Sequence, residues 1–216
     1  MSRTRAKICG LSTPEGVRAT LDGGAAFIGF MFFDKSPRNV EPEAARRLAE
    51  PVRARGGTAV VAVTVDPDDA LLDRLTATLK PDLIQLHGKE SPSRAREVGL
   101  RTGAEVIKVI PVSESGDLAA ATAYEPVVAH LMFEGKPPKD ADRPGGIGAR
   151  FDWTLLAGRR FARPWFLAGG LDPWNVAEAV RLSGAPMVDV SSGVERGPGL
   201  KDPALIQTFL DAVYRA

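Results

Sequence analysis

The chain has 216 residues, longer than a typical single domain but within the range of one α/β barrel. Hydrophobic content of 44%, charged content of 25% and a net charge of +1 describe a soluble globular protein and give no reason to expect nucleic acid or an anionic membrane as partner. A single cysteine excludes an internal disulfide, no run approaches the ~18 apolar residues of a membrane span, and residues 1–5 lead into too few apolar residues for a signal peptide, so the chain reads as cytoplasmic.

Proline placement sets a period. Thr13-Pro14, Glu41-Pro42, Asp66-Pro67, Ser91-Pro92, Asp172-Pro173 and Asp202-Pro203 each join a capping or acidic residue to a proline ahead of an amphipathic stretch. Proline suits the first helical position, where its missing N–H costs nothing, and Ser, Thr or Asp before it can cap. Pro14 and Pro203 lie 189 residues apart, seven intervals of 27, which makes eight units.

In chain order, strand Ala6–Cys9 precedes helix Glu15–Leu21, and Phe27–Phe32 precedes Glu43–Ala54. Ala59–Val65 is followed by Asp68–Leu79, Leu83–Leu86 by Ser93–Val98, and Val106–Ile110 by Leu118–Tyr124. The last three pairs are Val127–Phe133 with Trp153–Leu156, Trp165–Ala168 with Trp174–Ser183, and Met187–Val190 with Ala204–Tyr214. Short, continuously apolar strands between helices are covered on both faces, which means a parallel sheet. A doubly wound open sheet would look the same strand by strand. Eight even units without a break favour closure, so residues 1–216 are expected to form a single (β/α)₈ barrel of the TIM type. Its chemistry then belongs at the C-terminal ends of the strands.

Those strand ends carry the candidate site residues. Lys7 and Cys9 alternate to the same face, toward the barrel interior, where an ammonium is expected to lower a thiol pKa. Cys9 reads equally as a base and as a buried structural cysteine. Arg38, in Asp34-Lys35-Ser36-Pro37-Arg38, is either a bidentate clamp for a carboxylate or a solvated loop arginine. Gln85 and His87 share one face at the end of strand four, as ligand contacts or as a hydrogen-bonded structural pair. Glu134 follows an apolar run, where desolvation could make it a general acid; it could also simply open a solvated loop. Asp189, between Val188 and Val190, needs a partner, either substrate or a neighbouring polar side chain. Gly169 and Gly170, then Ser192 and Gly193, end two successive strands, and in a barrel the loops after strands seven and eight commonly hold a phosphate on backbone N–H groups. With two histidines and no clustered Cys or Asp, no metal site is expected. This inventory suits acid–base isomerisation of a small phosphorylated, carboxylate-bearing molecule. Redox and phosphoryl-transfer fingerprints are missing.

Taken in order, the pieces Lys7-Ile8-Cys9-Gly10-Leu11, Gly29-Phe30, Ser36-Pro37-Arg38, Gln85-Leu86-His87-Gly88, Gly145-Gly146, Phe151-Asp152-Trp153, Leu167-Ala168-Gly169-Gly170-Leu171 and Asp189-Val190-Ser191-Ser192-Gly193-Val194-Glu195 resemble the phosphoribosylanthranilate isomerase family of tryptophan biosynthesis. Pro198-Gly199 and Lys201-Asp202 extend the resemblance over nearly the whole chain.

The resemblance implies an Amadori rearrangement of N-(5-phosphoribosyl)anthranilate to 1-(2-carboxyphenylamino)-1-deoxyribulose 5-phosphate, without a cofactor, in a monomer or homodimer. It implies Cys9 as general base, Arg38 on the anthranilate carboxylate and Gln85 and His87 against substrate. Gly169, Gly170, Ser192 and Gly193 would hold the phosphate, and Asp189 would lie near the anthranilate ring and amine. The family's acid is an aspartate after strand six. Here that position is Glu134, whose extra methylene shifts the acid by more than 1 Å, a displacement that can cost on the order of 10²-fold in rate. On the sequence, Glu134→Asp is therefore expected to keep or raise kcat. Ile147, in Gly145-Gly146-Ile147-Gly148, also departs from the family's small polar residue. The alternatives are a related phosphosugar isomerase and a weakly active or non-catalytic phosphoribosyl-ligand binder. Cys9 and Val65-Asp66-Pro67 argue against the first; Cys9, Arg38 and Asp189 argue against the second.

Overall fold

The computed structural model describes residues 3–137 and 148–216. Eight parallel strands close into a barrel in the order β1 to β8, with β8 returning to pair with β1. They are β1 (Arg5–Cys9), β2 (Phe27–Phe32), β3 (Ala59–Thr64), β4 (Leu83–Leu86), β5 (Glu105–Val112), β6 (His130–Gly135), β7 (Trp165–Leu167) and β8 (Met187–Val190). The α/β expectation holds, with strand ends displaced by up to three residues. Gly145, Gly146 and Ile147 lie outside the described residues.

Period-2 alternation sorts the side chains of each strand. Phe27, Val61, Ile107, Met132, Phe166 and Met187 fill the barrel interior. Ile8, Ile28, Phe30, Ile84, Phe133 and Val188 face the helix layer instead. Each such side chain contributes about 1.5–3 kcal/mol on burial. The rings of Phe27 and Phe166 meet edge-on at 5.1 Å, with His130 5.7 Å from Phe166, and they plug the N-terminal half of the barrel. Polar inward positions are thereby left to the opposite end.

The helices are α1 (Pro14–Asp22), α2 (Pro42–Arg55), α3 (Asp69–Thr78), α4 (Pro92–Thr102), α5 (Ala121–Tyr124), α6 (Val176–Ser183) and α7 (Pro203–Arg215). Four of the six marked prolines open a helix, and Thr13, Ser91 and Asp202 cap theirs through side-chain oxygens. Glu41, before Pro42, makes no such bond. Two starts differ from expectation. Asp68, not Asp66, caps α3, because the Asp66 N–H donates to Glu90 and its carboxylate accepts from the Lys89 N–H. Asp172 accepts from the amides of Trp174 and Asn175 in a turn, which delays α6 to Val176. The helix expected at Leu118–Tyr124 is a 3₁₀ turn, Ser115–Ala120, running into α5, and Trp153–Leu156 is 3₁₀ throughout.

After β8 the chain makes a 3₁₀ turn, Ser192–Val194, and then a small hairpin of β9 (Glu195–Gly197) and β10 (Leu200–Lys201) before α7. Among the described residues, no helix is long and apolar enough to cross a membrane.

Candidate active site

Strand alternation brings Lys7, Cys9, Gln85, His87, Glu134 and Asp189 to the inward face. Register places Lys7 opposite Asp189, and their side chains pair at 2.7 Å. Lys7 is thus the partner that an acid inside β8 requires. Burial opposes the Lys7 charge, but Asp189 and Cys9 outweigh it and hold the ammonium protonated, above the usual lysine range.

Cys9 departs from expectation. Burial pushes its thiol above the ordinary value and outweighs the downward pull of Lys7, while Asp189 pushes it further up. Burial is the dominant cause, and the carboxylate partner of the ammonium offsets part of its pull on the thiol. Gly29, the register neighbour of Cys9, makes room for both groups: an added Cβ would lie 3.0 Å from Cys9 Sγ and 3.1 Å from Lys7 Nζ. A glycine inside a strand commonly marks such close approach.

Glu134 does not open a solvated loop. Its side chain is 13% exposed, and its Oε2 lies 2.6 Å from His87 Nε2, across from the end of β4. At that distance the contact is a short hydrogen bond. Gln85 Nε2 approaches His87 Nδ1 at 3.5 Å. Both ring nitrogens of His87 are thus approached, Nδ1 by Gln85 and Nε2 by Glu134. Gln85 Oε1 is buried and has no partner among the described residues, leaving an acceptor at the same place.

The two glycine loops meet beside Glu134. Gly169 and Gly170 have φ of +88° and +65°, conformations that favour glycine. A Cβ on Gly169 would stand 2.6 Å from the Ala149 carbonyl and 3.1 Å from Glu134 Cγ. Among the described residues, the amides of Gly169, Gly170 and Leu171 donate to no protein acceptor. Those of Ser192 and Gly193 open a 3₁₀ turn, where first-turn N–H groups have no partner within the helix. One cavity is lined by Glu134, Gly148, Gly169, Gly170, Leu171, Asp189, Val190, Ser191 and Ser192. Gly193 does not line it; the Leu171 carbonyl packs where a Gly193 side chain would be. Leu171, missed in the sequence, adds a lining backbone amide. A roomier groove between α1 and α2, lined by Pro14, Val17, Leu21, Leu48 and Pro51, carries none of these groups.

Arg38 is 4% exposed rather than solvated. Its stem crosses Gly10, where a Cβ would lie 2.6 Å from Arg38 Cδ. Its Nε and Nη2 donate to the two oxygens of Glu195 at 2.7 and 2.8 Å. The bidentate partner is therefore a carboxylate of the chain itself. Lys201 donates to Glu195 Oε1 at 2.6 Å and to the Ser191 carbonyl at 2.9 Å, which ties the β2 loop to the β8 loop. Burial would raise the Glu195 pKa, but Arg38 and Lys201 hold it below the usual carboxylate range. The partnership of these three residues was invisible in the sequence, where 157 positions separate Arg38 from Glu195.

The family model described as N-(5'phosphoribosyl)anthranilate (PRA) isomerase matches residues 6–212. The chain belongs to the N-(5'-phosphoribosyl)anthranilate isomerase family. It is 69% identical to the isomerase of Caulobacter vibrioides, over 98% of this chain and 96% of that protein. With the isomerase of Paracoccus denitrificans the identity is 52%, over 94% of each. The solved isomerase of Thermotoga maritima superposes with a TM-score of 0.87 at 33% identity, covering 99% of this chain and all of the other. A further isomerase structure, with a TM-score of 0.84 and 31% identity over 99% of this chain and 100% of its own, is a complex with reduced 1-(o-carboxyphenylamino)-1-deoxyribulose 5-phosphate. Within this isomerase barrel, the loops after β7 and β8 lie between the strand bearing Glu134 and the strand bearing Cys9. An anion held on those loops would sit between the acid and the thiol.

Proposed function

We propose that this isomerase converts N-(5-phosphoribosyl)anthranilate to 1-(2-carboxyphenylamino)-1-deoxyribulose 5-phosphate, with Glu134 as general acid and Cys9 as general base. The observation that carries the Glu134 assignment is the shared cavity, in which Glu134 stands against the unpartnered amides of the glycine loops; Cys9, on β1, faces the barrel interior on the far side of those loops. The phosphate docks on the amides of Gly169, Gly170, Leu171 and Ser192, with Gly193 supporting the turn. The anthranilate end reaches toward Arg38, and Asp189 lies near its amine.

Glu134 gives a proton to the ribose ring oxygen. The C1–O bond breaks as the anthranilate nitrogen lone pair forms a C1=N bond. Cys9 then takes the C2 proton, and those electrons move toward the iminium to give an enolamine. Transfer of the C2 hydroxyl proton to C1 yields the ketone. Lys7 steadies negative charge on the Cys9 sulfur, and His87 holds Glu134 in place. Gln85 Oε1 offers an acceptor to a substrate hydroxyl or N–H.

We read residues 1–216 as one barrel unit acting in the cytoplasm on a small phosphorylated substrate, as a monomer or a homodimer. The solved monomers of a dimeric Thermotoga maritima isomerase support both states. The test is turnover of phosphoribosylanthranilate by the purified protein, followed by loss of anthranilate fluorescence, with growth rescue of a tryptophan auxotroph lacking this isomerase. Absence of both turnover and rescue would refute the reading.

A further inference from the structure

Behind β4 lies a further buried ion pair, one that this chemistry does not use. Lys108, in the middle of β5, and Glu90, after the β4 loop, are 3% and 4% exposed. Lys108 Nζ lies 2.6 Å from Glu90 Oε2 and donates to the Gly88 carbonyl at 2.8 Å. Gly88 directly follows His87, and its N–H donates to both Glu90 oxygens at 3.0 Å. Both backbone polar groups of Gly88 therefore end on this one pair.

The peptide unit is planar, so holding the Gly88 N–H fixes the His87–Gly88 plane. The His87 N–H is held as well, by the Thr64 carbonyl at 2.9 Å. Together these bonds set the direction in which the His87 side chain leaves the backbone. Two neighbouring segments converge on the same residue: the Asp66 N–H, from the β3 loop, donates to Glu90 Oε1 and the Tyr124 hydroxyl, from α5, donates to the Glu90 carbonyl, each at 2.8 Å. Asp66 adopts φ +43° and packs so closely that a Cβ on Gly88 would lie 2.5 Å from its carboxylate.

A pair buried this deeply is a weak source of net stability, because desolvation of both charges offsets their attraction. An apolar pair would fill the space equally well without gripping Gly88. Neither residue lines the cavity shared by Glu134 and the glycine loops.

We propose that the Lys108–Glu90 pair is a brace that positions His87 against Glu134, which makes both members positioning residues for the isomerisation. The proposal rests on the roles given above to His87 and Glu134. Its test compares Glu90→Gln, Lys108→Met and the milder Tyr124→Phe, each alone and in a His87→Asn background. The readouts are kcat, KM and inhibition by inorganic phosphate. Tyr124→Phe keeps the ion pair and loses one peripheral hydrogen bond, so it reports even if the others unfold.

The expected loss in kcat is on the order of 10- to 100-fold for Glu90→Gln and Lys108→Met, as for a displacement of about 1 Å, and a few-fold for Tyr124→Phe. KM and phosphate inhibition stay at wild-type values, and in the His87→Asn background the brace variants lose nothing further. The chain has two histidines, so ¹⁵N-histidine spectra resolve His87, whose Nε2 signal moves in each variant while that of His130 does not. Wild-type kcat in Glu90→Gln and Tyr124→Phe with His87→Asn impaired overturns the brace alone. An equal loss in the His87→Asn background also overturns it, by assigning the effect to the fold. Wild-type kcat in His87→Asn refutes the His87–Glu134 reading and takes the brace with it.

Discussion

Glu134→Asp is the substitution on which sequence and structure disagree. Removing one methylene draws the carboxylate back by about 1.5 Å, one carbon–carbon bond length. The 2.6 Å contact with His87 Nε2 then opens beyond hydrogen-bonding distance. A typical intramolecular hydrogen bond contributes about 0.5–1.5 kcal/mol, which is roughly 2- to 13-fold in rate if it is needed in the transition state. The same retraction carries the acid away from the ring oxygen, so the two effects act in one direction. The expected outcome is a kcat lower by about that factor. KM should change little, because the backbone amides of the glycine loops are untouched. Steady-state loss of anthranilate fluorescence, with circular dichroism to confirm folding, measures both constants. A kcat at or above wild type would refute the reasoning, because it would mean that the extra methylene is not used to reach His87.

Cys9→Ser should cut kcat severely with little change in KM, since a serine hydroxyl is a far poorer base; near-wild-type kcat would remove Cys9 from that role. Because burial raises the Cys9 thiol despite Lys7, and a base acts only when deprotonated, kcat/KM should climb with pH on a limb above the ordinary thiol value. A profile flat through the alkaline range would contradict that. Gly29→Ala places a methyl about 3 Å from both Cys9 Sγ and Lys7 Nζ and should depress kcat while the thermal midpoint falls modestly; unaltered kinetics would show that the thiol and ammonium can move aside. Asp117, held at about 2 chiefly by the Ser113 N–H, contributes stability that is present above its unfolded value of about 3.8 and lost as pH falls toward 2. Asp117→Asn should thus lower the melting temperature at pH 7 and converge with wild type near pH 2, and a constant difference across that range would count against the assignment.

The architecture was legible in the chain because a parallel barrel leaves a periodic record. Strands buried on both faces must be continuously apolar, and helix starts attract proline and capping residues. Even the inward facing of Lys7, Cys9, Gln85, His87 and Asp189 follows from period-2 alternation alone. Chemical type was legible for the same reason: a glycine with positive φ beside a strand end, as at Gly169 and Gly170, is a local property.

Pairing was not local, and the tertiary structure decided it. Lys7 meets Asp189 across 182 positions, and Arg38 meets Glu195 across 157. The sign of the Cys9 shift depends on burial and on that Lys7 partner, neither of which adjacency to a lysine reveals. Asp66-Pro67 has the composition of a helix cap, yet Asp66 is drawn into the Glu90 network and Asp68 caps the helix instead. Glu134 looked like a displaced aspartate until the fold brought His87 within 2.6 Å of it. Side-chain types and their faces are set by the order of residues along each strand; the charges that meet are set by barrel closure, which brings together strands remote in sequence.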